Sequence, residues 1–201
     1  AKEEDNENLS NAGKFISELN IPLKKKNLIL SINKIIKNYK KIRKKKLYFS
    51  NQILVQEMVS NTSMSGVMFT KDRDNGSNYY SINYDDITGL THTVTSGLGE
   101  FSNKTIFIYR SADDKLRSPR FKKLISAVKD LEKKIKNNNL DIEFCITKKF
   151  VPYLLQVRQI TLKKKIDKAF NIKLDKELKK VERKISTKFK REKGISGSNS
   201  I

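Results

Sequence analysis

Apolar residues recur along this chain with two different periods. Over 27–47, Leu28, Ile32, Ile35, Tyr39 and Ile42 follow one another at steps of four, three, four and three, with lysines filling the gaps. Such steps keep side chains on one face of a helix, so the spacing predicts an amphipathic helix. The same rule predicts a helix over 118–136, where Phe121, Leu124, Ile125, Val128, Leu131 and Ile135 share a face. Ser118 suits its N-cap and Pro119 its first turn. Elsewhere the texture is that of short strands: 53–55, 66–70, 79–84, 104–109, 141–147 and 153–160. A tight turn at Asp72-Arg73-Asp74-Asn75-Gly76, with Asn-Gly supplying positive φ, separates the second strand from the third. A Gly-, Thr- and Ser-rich loop follows over 88–99, and Lys148-Lys149 turns the last pair into a hairpin. Beyond Thr161 a Lys-rich segment carries Leu174, Leu178, Val181 and Ile185, which fits a linker helix or a coiled-coil arm. The fold class expected is α+β, a mostly antiparallel sheet with flanking helices.

Composition narrows the chemistry. The 201 residues suit one domain with an appendage. Seven tyrosines and ten phenylalanines, with many Ile and Leu, can build a core although only 37% of residues are apolar. A single cysteine, Cys145, allows no intrachain disulfide and no cysteine zinc cluster, and a single histidine, His92, excludes His-rich metal sites. No apolar run approaches the roughly 18 residues of a membrane span, so a soluble, cytoplasmic protein is expected. The net charge of +21 is unevenly spread. Residues 22–50 hold 11 basic and no acidic side chains, and residues 162–201 hold 14 basic against 5 acidic. Only 8 of the 43 basic residues are arginine, the side chain best shaped for forked phosphate and base contacts. The excess therefore fits solvated faces better than a nucleic-acid patch.

The informative residues sit on the last hairpin. Strand alternation puts Asp141, Glu143 and Cys145 on one face and Ile142, Phe144 and Ile146 on the other. On the partner strand Gln156 and Arg158 share a face, with Leu155, Val157 and Gln159 opposite. An antiparallel pair can bring Asp141, Glu143, Gln156 and Arg158 to one surface. Two carboxylates, an amide oxygen and a guanidinium suit a Mg²⁺–nucleotide, because Mg²⁺ takes hard oxygen ligands and Arg grips phosphate with paired donors. A plain sheet face with a Glu–Arg cross-strand pair has the same spacing. Cys145, with no base near it in sequence, reads as a structural thiol, and His92 as a loop residue.

A resemblance separates these readings. Asp141-Ile142-Glu143-Phe144 with Tyr153-Leu154-Leu155-Gln156-Val157-Arg158-Gln159-Ile160-Thr161 resembles the "DIEF … YxLQxRPIT" ending of one ATP-grasp family. That family is the nucleotide-binding domain of phosphoenolpyruvate synthase and pyruvate phosphate dikinase. Val55-Gln56-Glu57-Met58-Val59 and Ser65-Gly66-Val67-Met68-Phe69-Thr70 resemble its "VQxMV … SGVxFT" block, and Ser10-Asn11-Ala12-Gly13-Lys14-Phe15 its "SxAGxF" stretch. Gly97-Leu98-Gly99-Glu100 is similar to its "GLGE". Ile82-Asn83-Tyr84-Asp85-Asp86 with Thr93-Val94-Thr95-Ser96-Gly97 resembles most the branch that includes L-glutamine kinase. Gln159 stands where the family has proline.

The resemblance implies a partial ATP-grasp domain over 1–161, incomplete at its N-terminus, and a Lys-rich helical linker over 162–193; the Gly and Ser alternation over 194–201 predicts a disordered tail. The resemblance also implies that Glu143 and Gln156 hold Mg²⁺, that Asp141 supports the metal, and that Arg158 contacts an ATP phosphate as the catalytic residue. Gln56, Glu57 and Met58 would form the adenine hinge with Arg158 as a further nucleotide contact. ATP and Mg²⁺ are the cofactors implied. The activity implied is dikinase-type phosphoryl transfer through a histidine on a separate domain, to pyruvate or glutamine. The partners implied are the missing N-terminal half and that histidine domain, and the chain by itself would bind ATP–Mg²⁺ weakly without turning over; no membrane partner is expected, and the charge distribution disfavours nucleic acid. Two other readings stand beside this one: a basic nucleic-acid-binding or scaffold protein using 22–50 and 162–201, and an inert fragment of a split gene.

Overall fold

The computed structural model describes residues 5–6, 9–10, 16–43, 52–88, 104–160 and 168–188. Strands β1 (Asp5–Asn6) and β2 (Leu9–Ser10) form a small antiparallel ladder. Helix α1 is Lys25–Arg43. Then come β3 (Thr62–Phe69), β4 (Tyr79–Asp85) and β5 (Lys104–Tyr109). A short 3₁₀ turn (Arg110–Lys115) leads into helix α2 (Pro119–Ile135). Strands β6 (Leu140–Thr147) and β7 (Pro152–Gln159) and helix α3 (Lys168–Lys188) complete the described elements. The class is α+β, with one five-stranded antiparallel sheet in the order β5-β4-β3-β6-β7.

The order follows from the hydrophobic faces. β3, β4 and β5 form a meander, after which α2 carries the chain back so that β6 enters beside β3 at the centre. Tyr80, Ile82, Met64, Met68, Ile142, Phe144 and Ile146 alternate onto one sheet face, and Phe121, Leu124, Ile125 and Val128 of α2 pack against them. Each such side chain fully withdrawn from water contributes roughly 1.5–3 kcal/mol before the entropy of ordering is counted. Gly66 lets β3 and β4 approach: a Cβ there would lie 2.2 Å from the carbonyl oxygen of Asn83. No larger residue fits without parting the strands.

Several expectations need correction. Residues 53–55 form no strand; they are exposed and irregular, since neither sheet edge, β5 or β7, takes them up. Ser118 occupies the N-cap position, but its hydroxyl makes no capping hydrogen bond, and the first turn is closed by the Lys122 amide on the Ser118 carbonyl. Gly76 alone supplies the positive φ (71°) of the β3–β4 turn. Ile135, expected on the core face of α2, is exposed. The stripe on α1 agrees with expectation: Leu28, Ile32, Ile35 and Tyr39 are all half-buried. Residues 89–99 of the expected loop, His92 among them, residues 11–15 of the "SxAGxF" stretch, and the tail over 194–201 lie outside the described residues.

An ion pair between a buried Glu132 and a half-buried Arg110 pins the core's edge. Glu132 points inward from α2 and accepts two hydrogen bonds from Arg110, at 2.8 and 2.7 Å. The guanidinium also donates to the Thr70 carbonyl and lies over the Tyr80 ring. Thr70, fully buried, donates to the Asn138 carbonyl and accepts from the Leu140 amide, both at 2.7 Å. These bonds fix the α2–β6 connection, and with it the register at which β6 presents its carboxylates.

Candidate nucleotide and metal site

The face of the sheet turned away from α2 carries the polar residues of the hairpin. In the ladder Asp141 faces Arg158 and Glu143 faces Gln156. Directly opposed residues on antiparallel strands project to the same side, so the four expected side chains do share one surface. Beyond Glu143 a bulge inserts one extra residue into β7, so Phe144 pairs with Leu154 and Cys145 with Tyr153. The core-facing partner is consequently Leu154 with Val157, where simple alternation expects Leu155. The bulge lies just past the four polar residues and leaves their pairing intact.

Arg158 is the link between the carboxylates. Its Nη2 lies 3.4 Å from Asp141 Oδ2 and 3.4 Å from Glu143 Oε1, with all three side chains half-buried. Both distances sit at the long limit for charge-assisted contacts. The guanidinium is thus shared and weakly held, leaving donors available. Burial raises the Glu143 carboxyl above the usual carboxylate range; the Arg158 guanidinium opposes this, and Asp141's charge adds to it. Two carboxylates against one cation in a half-buried site leave an under-compensated negative charge. A divalent cation would remove that excess, so the donor set fits Mg²⁺ taken up with phosphates and its own waters. Among the described residues no group of three or more His, Cys, Asp or Glu side chains is gathered to hold a metal ion by itself.

Asn83 belongs to the Ile82–Asp86 block but is not among the expected site residues. The ladders place it in the same row as Glu143 and Gln156, on the far side of Val67. Its Oδ1 is buried with no hydrogen-bond partner among the described residues. The signal was present in β4, where Ser81, Asn83 and Asp85 alternate with Tyr80, Ile82 and Tyr84. Asp85 is occupied locally: its carboxylate accepts from the amides of Ile87 and Thr88 at 2.8 and 3.0 Å and from the Thr88 hydroxyl.

The other expected contacts are not gathered with this set. Gln56, Glu57 and Met58 stand in an exposed irregular segment and share no described hydrogen bond with the hairpin. Gly97-Leu98-Gly99-Glu100 lies outside the described residues. Cys145, fully buried, has its thiol pushed up to about 11 by desolvation. That suits the structural role expected of it. No helix among the described residues is long and apolar enough to cross a membrane. No family model matches this chain, and no curated protein sequence matches it either.

Proposed function

We propose that this chain is the ATP–Mg²⁺-binding portion of a dikinase-type phosphotransferase with an ATP-grasp fold. The observation that carries the reading is the shared face of β6 and β7, where Arg158 bridges Asp141 and Glu143 at 3.4 Å beside Gln156. Glu143 and Gln156 would hold Mg²⁺, with Asp141 behind them ordering its waters. Bound there, the cation would neutralise and orient the phosphates. Arg158 would release its loose hold on the carboxylates and donate to a phosphate, and the half-buried surroundings would strengthen that contact. Gln56, Glu57 and Met58 would provide the adenine hinge once folded against the nucleotide. In the full reaction ATP would give its β-phosphate to a histidine on a separate domain and leave AMP and phosphate. Pyruvate or the amide nitrogen of glutamine would be the final acceptor. The sequence blocks "DIEF", "LQVR", "VQEMV" and "SGVMFT" support the same assignment by resemblance.

The test is calorimetric titration of ATP–Mg²⁺ into the chain and into Glu143→Ala and Arg158→Ala near physiological salt. Each removed group makes one or more charge-assisted contacts, so each variant should lose at least tenfold in affinity. Equal binding by all three chains would overturn the site.

A further inference from the structure

The β3–β4 turn places a second guanidinium over the same face. Its backbone is tightly fixed: Asp72 Oδ1 accepts from the amides of Asp74 and Asn75, both at 3.0 Å, and the Gly76 amide returns to the Asp72 carbonyl at 2.9 Å. From this turn Arg73 folds back so that its Cζ lies 5.0 Å from the centre of the Phe69 ring. Phe69 is paired with Ser81 on one side and Asp141 on the other, and Asp141 is paired with Arg158. Phe69, Asp141 and Arg158 therefore follow one another along a single row across the sheet, with the Arg73 guanidinium lying over Phe69. β3 and β7 flank β6, so they lie about 10 Å apart at ~4.8 Å per strand. Arg73 is exposed, and no carboxylate among the described residues pairs with it. Arg110, Arg120 and Arg158, by contrast, are each engaged by a carboxylate.

A guanidinium with its ring face on an aromatic keeps its in-plane donors free, and the stack limits the conformations it must give up on binding. We infer that Arg73 is a second phosphate-binding residue, gripping the polyphosphate chain from the side opposite Arg158. This rests on the nucleotide reading above and extends it. Two arginines, one over Phe69 of β3 and one on β7, with the β6 carboxylates between the two strands, select an extended Mg²⁺–polyphosphate over a lone monophosphate. Arg73 acts at the phosphate end and has no role toward the nucleoside.

The experiment is isothermal titration of Mg²⁺–tripolyphosphate, ATP–Mg²⁺ and AMP into the full chain and its Arg73→Ala and Arg158→Ala variants, with thermal melts as a folding control. Arg73→Ala should melt with the parent chain, since the side chain is exposed. It should weaken Mg²⁺–tripolyphosphate and ATP–Mg²⁺ by about tenfold, the scale of one charge-assisted contact, and leave AMP unchanged. Unchanged tripolyphosphate binding by Arg73→Ala, with binding lost in Arg158→Ala, would overturn this inference and leave the nucleotide reading standing. An equal loss for AMP and ATP in Arg73→Ala would also overturn it. No binding of any titrant by the parent chain would overturn both.

Discussion

Replacing Glu132 by alanine removes the carboxylate that Arg110 holds in two parallel hydrogen bonds of 2.8 and 2.7 Å. Breaking one partner of a fully buried ion pair costs about 3–5 kcal/mol, because the remaining charge is stranded. Here the arginine end is less dry: the Arg110 side chain is 21% exposed against 8% for Glu132. The guanidinium would also keep its 2.9 Å bond to the Thr70 carbonyl and its place over Tyr80. Both features lower the penalty, and alanine's better helix propensity returns about 0.5 kcal/mol. A net loss of about 2–3 kcal/mol follows, read as a lower urea midpoint at constant m-value in equilibrium unfolding. The double replacement Arg110→Met with Glu132→Leu should recover much of that loss, since it strands no charge. A loss below about 0.5 kcal/mol in Glu132→Ala, or a double variant no better than the single one, would refute the claim that this pair anchors the α2–β6 connection.

Two further outcomes follow from the titrating groups. Burial raises the Glu143 carboxyl above its ordinary value of 4.5, so the folded chain holds that proton more tightly than the unfolded chain does. Its contribution to stability is complete below about pH 4.5 and is lost as pH rises through the folded-state value. Glu143→Gln should therefore flatten this decline in a series of unfolding curves at increasing pH, and at neutral pH be at least as stable as the parent while losing ATP–Mg²⁺ binding. A steeper decline in the variant would contradict the burial argument. Cys145, fully buried with its thiol at about 11, should resist alkylation at pH 8 in the native chain and react promptly in denaturant; prompt native labelling, read by mass spectrometry, would contradict its placement.

Much of the fold was legible because the two hydrophobic periods differ. α2, β4, β5 and the hairpin fall within a residue or two of where the spacing puts them, and Asp141, Glu143, Gln156 and Arg158 share a face as alternation requires. What was not legible depended on neighbours. Residues 53–55 have strand-like side chains, but a strand needs a ladder partner, and the described sheet offers none. The bulge after Glu143 shifts Leu154 to the core, a change of one residue that no pattern of side chains announces. Glu132 reads as a solvated helix residue until Arg110 arrives from 22 positions earlier. Asn83 was overlooked for a different reason: its polarity in β4 was visible, but its row alignment with Glu143 exists only once β3 and β6 are paired.

The central claim is that a metal-bound nucleotide sits on the β6–β7 face. Mn²⁺ accepts the same hard oxygen ligands as Mg²⁺ and broadens nearby nuclear resonances. A ¹⁵N-labelled chain titrated with ATP and trace Mn²⁺ should lose the amide signals of Asp141, Glu143, Gln156 and Arg158 first, while those of Val128 and Glu132 on the opposite face persist. Uniform broadening, or broadening centred on α1 or α3 with the hairpin untouched, would contradict the account.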